Sequence, residues 1–164
     1  MSDHLNLDDL DLELIGQLMK DGRQTNVALA KQVGTSVGTV RNRIQKLTEN
    51  GVMQIVGVAD PLKVGFSVHT IMALTVDHSR VRQIAEQFAS MHPVRYVAYV
   101  SGICNLVVMS VFRSNEELLT FLRDDIADFV GIQQIETMHV LETVKRSYNY
   151  SFGAPFSLNG NDIP

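Results

Sequence analysis

The 164-residue chain has a single cysteine, no long apolar run and no excess of basic charge. Cys104, lacking a partner, cannot form an internal disulfide, so stability must come from packing, and a reducing, cytoplasmic setting is expected. No stretch approaches the roughly 18 apolar residues of a membrane span. The opening MSDHLNLDDLDLEL is acidic and lacks the basic-then-apolar pattern of an export leader. A formal net charge of −4 argues against a protein coated for indiscriminate nucleic-acid binding. Phosphate-binding loops, dinucleotide glycine patterns and nucleophile elbows are absent too. The five histidines (His4, His69, His78, His92, His139) show neither i, i+4 pairing nor zinc-finger spacing. No metal, cofactor or catalytic residue is therefore expected.

What charge there is lies unevenly. Between Gly22 and Thr48 stand Arg23, Lys31, Arg41, Arg43 and Lys46 with no acid, whereas the acids of the first half gather mostly in Asp3 to Asp21. A positive stretch inside an acidic chain is a selective signal for DNA. The same region has helical periodicity. Asp8 can cap a first helix with Asp11 at its third position, burying Leu10, Leu14, Ile15 and Leu18. Thr25 can cap a second, carrying Leu29, Ala30 and Val33 and ended by Gly34 in a left-handed turn. Ser36 can cap a third, with Val37, Val40, Ile44 and Leu47 inward. The β-branched VMQIVGVADP then predicts a strand, serving as a wing or as a link. Three short helices with a glycine turn before the last make a helix-turn-helix unit.

The second half alternates strand and helix. Strands are expected at 68–77, 94–101, 104–112 and 132–145. One helix spans 79–91 with Ser79 as cap, and another follows the Ser114–Glu117 capping box, burying Leu119, Leu122, Ile126 and Phe129. The order is βαββαβ, a ferredoxin-like arrangement, so the fold class is α+β. The tail SFGAPFSLNGNDIP has turn-forming composition. Both helices of such a unit cover one face of its sheet. Yet Leu106 and Val108 alternate with Val107, Met109 and Val111, so the strands are apolar on both faces. A second copy of the chain is the simplest cover, and edge-strand pairing would serve equally well, so the geometry of the dimer stays open. Tyr96 and Tyr99, of opposite parity, should divide between a helix and that interface.

If Val37, Val40, Ile44 and Leu47 face inward, the third helix presents Gly38, Thr39, Asn42, Arg43, Gln45 and Lys46, with Arg41 at its margin. Thr35, Ser36, Gly38 and Thr39 are small enough for close approach to a base edge, and Asn42 can pair with adenine. Lys31, Arg41, Arg43 and Lys46 suit phosphates. The plainer alternative is a solvated helix in a three-helix bundle.

Taken together the motifs have a familiar order. Leu7-Asp8 with Asp11, Asp21-Gly22-Arg23, VGTSVGTVRNRIQKL, Asn50-Gly51-Val52, Asp60-Pro61 with Gly65, Ser101-Gly102 and IETMHVLETVK follow one another across two domains. From Leu7 to Lys145 the chain resembles the Lrp/AsnC ("feast/famine") family of prokaryotic transcription factors. The resemblance implies a winged helix-turn-helix domain at 1–60, a ferredoxin-like (RAM-type) dimerisation and effector domain at 61–150, and a tail at 151–164. It implies double-stranded DNA and further copies of the chain as partners, in dimers or octamers, with an amino acid or related metabolite bound between subunits. It places Arg43 at the family's recurrent recognition-helix arginine and Ser36 at the helix cap. The effector would lie at the loop Ser101, Gly102, Ile103, Cys104 and Asn105. Here the sequence departs from the family, which usually has aspartate where Asn105 stands; a neutral amide is a weaker acceptor for an ammonium group. Cys104 itself reads as a small apolar residue at a strand end.

Two other classes share this fold. Sirohaem decarboxylases resemble the same two-domain family, but such an enzyme would be expected to lose the basic residues that Lys31, Arg41, Arg43 and Lys46 preserve. A DNA-architectural or sensor protein with little sequence preference would keep them.

Overall fold

The computed structural model describes residues 7–147. The tail 151–164 lies outside them. The chain divides into two compact units, one holding the segment up to Gly57 and the other Val58–Lys145.

The first unit contains α1 (Asp9–Lys20), α2 (Asn26–Gln32) and α3 (Val37–Glu49). At the start of α1, Asp8 accepts from the Asp11 N–H at 2.9 Å while the Asp11 carboxylate accepts from the Asp8 N–H at 3.2 Å. This reciprocal capping box satisfies two donors that a helix start leaves open. Thr25 and Ser36 cap α2 and α3, each accepting from the N–H three residues on. Gly34, with φ of 67°, takes the left-handed conformation that lets the chain leave α2, and the Thr35 N–H returns to the Ala30 carbonyl at 3.0 Å. Leu14, Leu18, Leu29, Ala30 and Val40 form the core of this unit.

Two expectations fail here. Val37 is 44% exposed rather than inward, because it sits on the first turn of α3 and the buried stripe begins a turn later at Val40. The segment 52–61 is not a strand. The N–H groups of Val52 and Met53 both return to the Leu47 carbonyl, closing α3, and beyond them Ile55, Val56 and Val58 are exposed. A strand needs a neighbour to take up its backbone groups. Among the described residues none runs beside this segment.

The second unit contains β1 (Val68–Val76), α4 (Val81–Ser90), β2 (Val94–Tyr99), β3 (Leu106–Phe112), α5 (Asn115–Thr120) and β4 (Ile132–His139). The sheet order is β2-β3-β1-β4 with every neighbouring pair antiparallel, the expected ferredoxin-like arrangement. Met72, Leu74 and Val76 from β1 and Leu106, Val108 and Phe112 from β3 are buried with Ile84, Phe88, Leu118 and Phe121 from the helical layer. Phe121 is central, its ring centroid 5.2 Å from that of Phe112 and 6.4 Å from that of Phe88. Full burial of each such ring contributes about 2–3 kcal/mol.

Several boundaries move for identifiable reasons. β4 stops at His139, not 145, because β1, its one neighbour among the described residues, begins at Val68, and the Val140 N–H donates to the His69 carbonyl just past the strand's end. α4 starts later than expected. Ser79 does not cap it but turns back, donating both its N–H and its hydroxyl to Asp77 as the chain leaves β1. α5 runs on into a π-helical turn, Phe121–Asp125, in which the Ile126 N–H reaches the Phe121 carbonyl. That turn brings Phe121 and Ile126, five residues apart, into the same core and centres the buried face on Leu118; Leu119, expected inward, is 57% exposed. Ser114 accepts from the Glu117 N–H as expected, but Glu117 reaches back to the N–H of Arg113 instead of Ser114.

Candidate nucleic-acid interface and effector loop

α3 offers its polar side in two layers. At its start the Ser36 hydroxyl accepts from the Thr39 N–H at 3.1 Å and shares a 2.9 Å hydrogen bond with the Thr39 hydroxyl. The two small side chains therefore hold each other over the first turn. Gly38 beside them is exposed, and a Cβ there would meet only the Ser36 hydroxyl at 3.8 Å. Thr35 and Thr39 are half-buried. Further along, Arg41, Asn42 and Lys46 are exposed, as is Lys31 on α2. None of these four side chains has a hydrogen bond or ion pair among the described residues. They are the polar groups left open for a partner.

Arg43 is placed differently. Its Nη1 lies 2.5 Å from Asp8 Oδ2 and 3.1 Å from both carboxylate oxygens of Asp11, so the guanidinium faces the capping box of α1. The Asp11 N–H, together with the Arg43 guanidinium, holds the Asp8 carboxyl below the usual aspartate range. Asp8 and then Asp11 raise Arg43 above the usual arginine value. The two aspartates are the residues that sequence reasoning missed here. Their spacing showed a cap and a favourable place on the helix dipole, but nothing local points to a cation 32 and 35 residues away.

The loop between β2 and β3 carries the five residues expected to meet an effector. Ser101 and Gly102 are exposed, Gly102 has φ of 136°, and Ile103 is 93% exposed. Cys104 is half-buried. Asn105 turns away from the loop. Its Oδ1 accepts from the Val76 N–H at 2.9 Å and its Nδ2 donates to the Val76 carbonyl at 2.6 Å, both on β1. Its own N–H donates to the Leu74 carbonyl, and its carbonyl accepts from Val100. Both ends of the amide are thus engaged in joining the start of β3 to β1.

Other expectations about this unit change as well. Tyr96 and Tyr99 are both exposed, at 54% and 59%, because β2 is an edge strand with an irregular register between Val94 and Tyr96. An open groove of about 590 Å³ does occur, but it is bordered by Phe66, Phe112, Arg113, Glu116, Glu117 and Asp125 and by none of the five loop residues. No group of three or more His, Cys, Asp or Glu residues suited to a metal ion occurs among the described residues. No helix among them is long and apolar enough to cross a membrane.

The far face of the sheet has no cover within the unit. Tyr96, Met109, Ile71 and Met138 lie in one cross-strand row, and Ala98, Val107, Ala73 and Glu136 in the next. Tyr96, Met109, Met138 and Glu136 are exposed and the others half-buried.

Comparison with known proteins agrees with this division. A family model for winged helix-turn-helix DNA-binding domains matches residues 7–52, and one for the Lrp/AsnC ligand binding domain matches residues 70–150. An uncharacterized HTH-type transcriptional regulator of Pyrococcus abyssi is 33% identical over 145 residues, covering 87% of this chain and 97% of that protein. Another from Pyrococcus furiosus is 30% identical over 141 residues, covering 85% and 95%. Among solved structures, a Neisseria meningitidis transcriptional regulator in complex with L-Met superposes with a TM-score of 0.79 at 20% identity, covering 88% of this chain and 96% of that one. AsnC of E. coli gives 0.76 at 24% identity, covering 87% and 97%.

Proposed function

Because the chain belongs to the Lrp/AsnC family of DNA-binding transcription regulators, we propose that it acts as a homodimer that places two copies of α3 against double-stranded DNA under the control of a small metabolite. The observation that carries the DNA-facing part is the set of uncommitted side chains on one side of the helix-turn-helix. Gly38 and the Ser36–Thr39 pair allow close approach, Asn42 is free to read a base edge, and Lys31, Arg41 and Lys46 are free to meet phosphates. In a dimer the two recognition helices would enter major grooves roughly 34 Å apart, or a multiple of that distance. The setting is the cytoplasm, where such a regulator meets its DNA.

The dimer reading rests on the open face of the sheet. The row of Tyr96, Met109, Ile71 and Met138 is the kind of apolar surface that a second copy covers by isologous pairing. Larger assemblies such as octamers would use further surfaces.

The effector reading rests on the ligand binding domain match and on the exposed loop residues Ser101, Gly102 and Ile103. Backbone N–H groups around Gly102 suit a carboxylate. Since the Asn105 amide already accepts from and donates to Val76, an acceptor from the second subunit would complete the site for the ammonium group of an amino acid. Calorimetry against the common amino acids and their keto acids checks this part; an effector should bind the dimer and lose affinity in a Gly102→Val variant.

The test of the central reading is a salt titration of binding to DNA from upstream of the protein's own gene, with unrelated duplex as control. Preferential, salt-sensitive binding supports a sequence-specific regulator. Equal binding to both duplexes would favour an architectural role, and no binding would remove the reading.

A further inference from the structure

The recurrent arginine of the recognition helix faces away from the role its position suggests. We propose that Arg43 is a positioning residue, not a DNA ligand: it anchors α3 to the capping box of α1 and leaves phosphate contact to Lys31, Arg41 and Lys46. This rests on the reading of α3 as the recognition helix.

The geometry supplies the first argument. One guanidinium nitrogen is shared by Asp8 and Asp11, which are themselves linked by the two reciprocal bonds of the capping box. Asp11 is nearly enclosed, with its side chain 10% exposed. The Arg43–Asp8–Asp11 group therefore ties the middle of α3 to the first turn of α1 across 35 residues of sequence. Held at that point, α3 cannot rotate about its axis without breaking charge-assisted bonds. Such rotation would carry Asn42 and Thr39 away from any base they read.

Charge supplies the second. Two carboxylates and one guanidinium sum to a net charge of about −1, so a phosphate approaching Arg43 meets a repulsive group, not a free cation. Arg41 and Lys46 on the same helix, and Lys31 on α2, have no carboxylate bound to them among the described residues. An arginine held in reserve for DNA would gain nothing from two such neighbours.

The two roles predict opposite signs for one substitution. Asp8→Asn keeps a good N-cap, since asparagine caps as well as aspartate, but removes one negative charge facing Arg43. For a positioning residue, Asp8→Asn lowers the melting temperature by about 2–4 °C. It also weakens DNA binding roughly twofold to fivefold although the chain becomes less negative. The slope of log affinity against log salt stays unchanged. Arg43→Lys, which can still reach one carboxylate, should recover part of what Arg43→Gln loses in melting temperature and affinity, with the wild-type slope. Arg41→Gln is the contrast: an unchanged melting temperature and a slope shallower by about 0.9.

The measurement is fluorescence anisotropy on the full chain, using a duplex from upstream of its own gene between 50 and 200 mM salt, far below each variant's melting temperature. Tighter binding by Asp8→Asn would overturn the proposal, since it would mean that the aspartates restrain a DNA-binding arginine. A slope shallower by about 0.9 in Arg43→Gln with an unchanged melting temperature would overturn it as well. Should the wild type bind no duplex, the recognition-helix reading falls, and the positioning role falls with it.

Discussion

The side-chain amide of Asn105 is bonded at both ends to the backbone of Val76, 29 residues earlier, donating at 2.6 Å and accepting at 2.9 Å. It does for the end of β1 what the backbone of a neighbouring strand would do. A carboxylate could replace only half of this, because it has no donor for the Val76 carbonyl. Asn105→Asp is therefore expected to destabilise the protein by about 1–3 kcal/mol at neutral pH. Thermal unfolding checks it, and part of the loss should return at low pH, where a protonated aspartate regains a donor. Equal stability at neutral pH would mean that the amide contributes nothing net.

Acid should loosen the anchored end of α1. The Asp8 carboxyl is held below its ordinary value, mainly by the Asp11 N–H and also by Arg43. A depressed folded-state value stabilises the protein above the unfolded value, about 3.9, and that contribution disappears as pH falls through the lower folded value. Urea midpoints should thus drop below about pH 4, and Asp8→Asn should drop less over the same window. Asp77 and Asp124, also lowered, by Ser79 and by Arg123 respectively, titrate in both proteins and cancel in the comparison.

Gly131 offers a sharp test of the turn into β4. Its φ is 111°, and a Cβ would lie 2.7 Å from Cδ and 3.3 Å from Cβ of Arg80. The positive φ strains any side chain there, and the Arg80 side chain would have to shift to admit one. Gly131→Ala should cost about 2 kcal/mol or more, read as a shift in the denaturant midpoint with an unchanged slope. A neutral outcome would show that the turn re-forms without a positive φ.

The open sheet face predicts the assembly state. Ile71 stands between Met109 and Met138 in the cross-strand row. Ile71→Lys puts a charge in the middle of that surface while leaving the core side of β1 untouched. Sedimentation should then report monomers where the wild type gives dimers, with far-ultraviolet dichroism unchanged. A dimer that survives would place the interface elsewhere.

Much of this fold could be read from local chemistry. Asp8, Thr25 and Ser36 cap where their side chains can reach an N–H three residues on, and Gly34 turns where only a positive φ fits; each is decided within one turn of chain. The alternation in Leu106–Phe112 likewise marked a sheet with two apolar faces. The failures share another origin, since they depend on segments distant in sequence. β4 ends where β1 begins, 52–61 finds no strand to pair with among the described residues, and the π-turn after α5 is set by where Phe121 and Ile126 meet the sheet. At the candidate sites the split is the same. Residue types along α3 were legible, but the engagement of Arg43 by Asp8 and Asp11, and of Asn105 by Val76, lay across 29 to 35 residues.

A sheet that keeps one face apolar also makes the number of molecules a variable of the system. If the paired form is the one that grips DNA, well below the dimerisation constant its abundance rises as the square of chain concentration, so a twofold change in expression alters the active species about fourfold. A regulator built on such a face converts small changes in its own synthesis into larger changes at its targets, before any metabolite is bound.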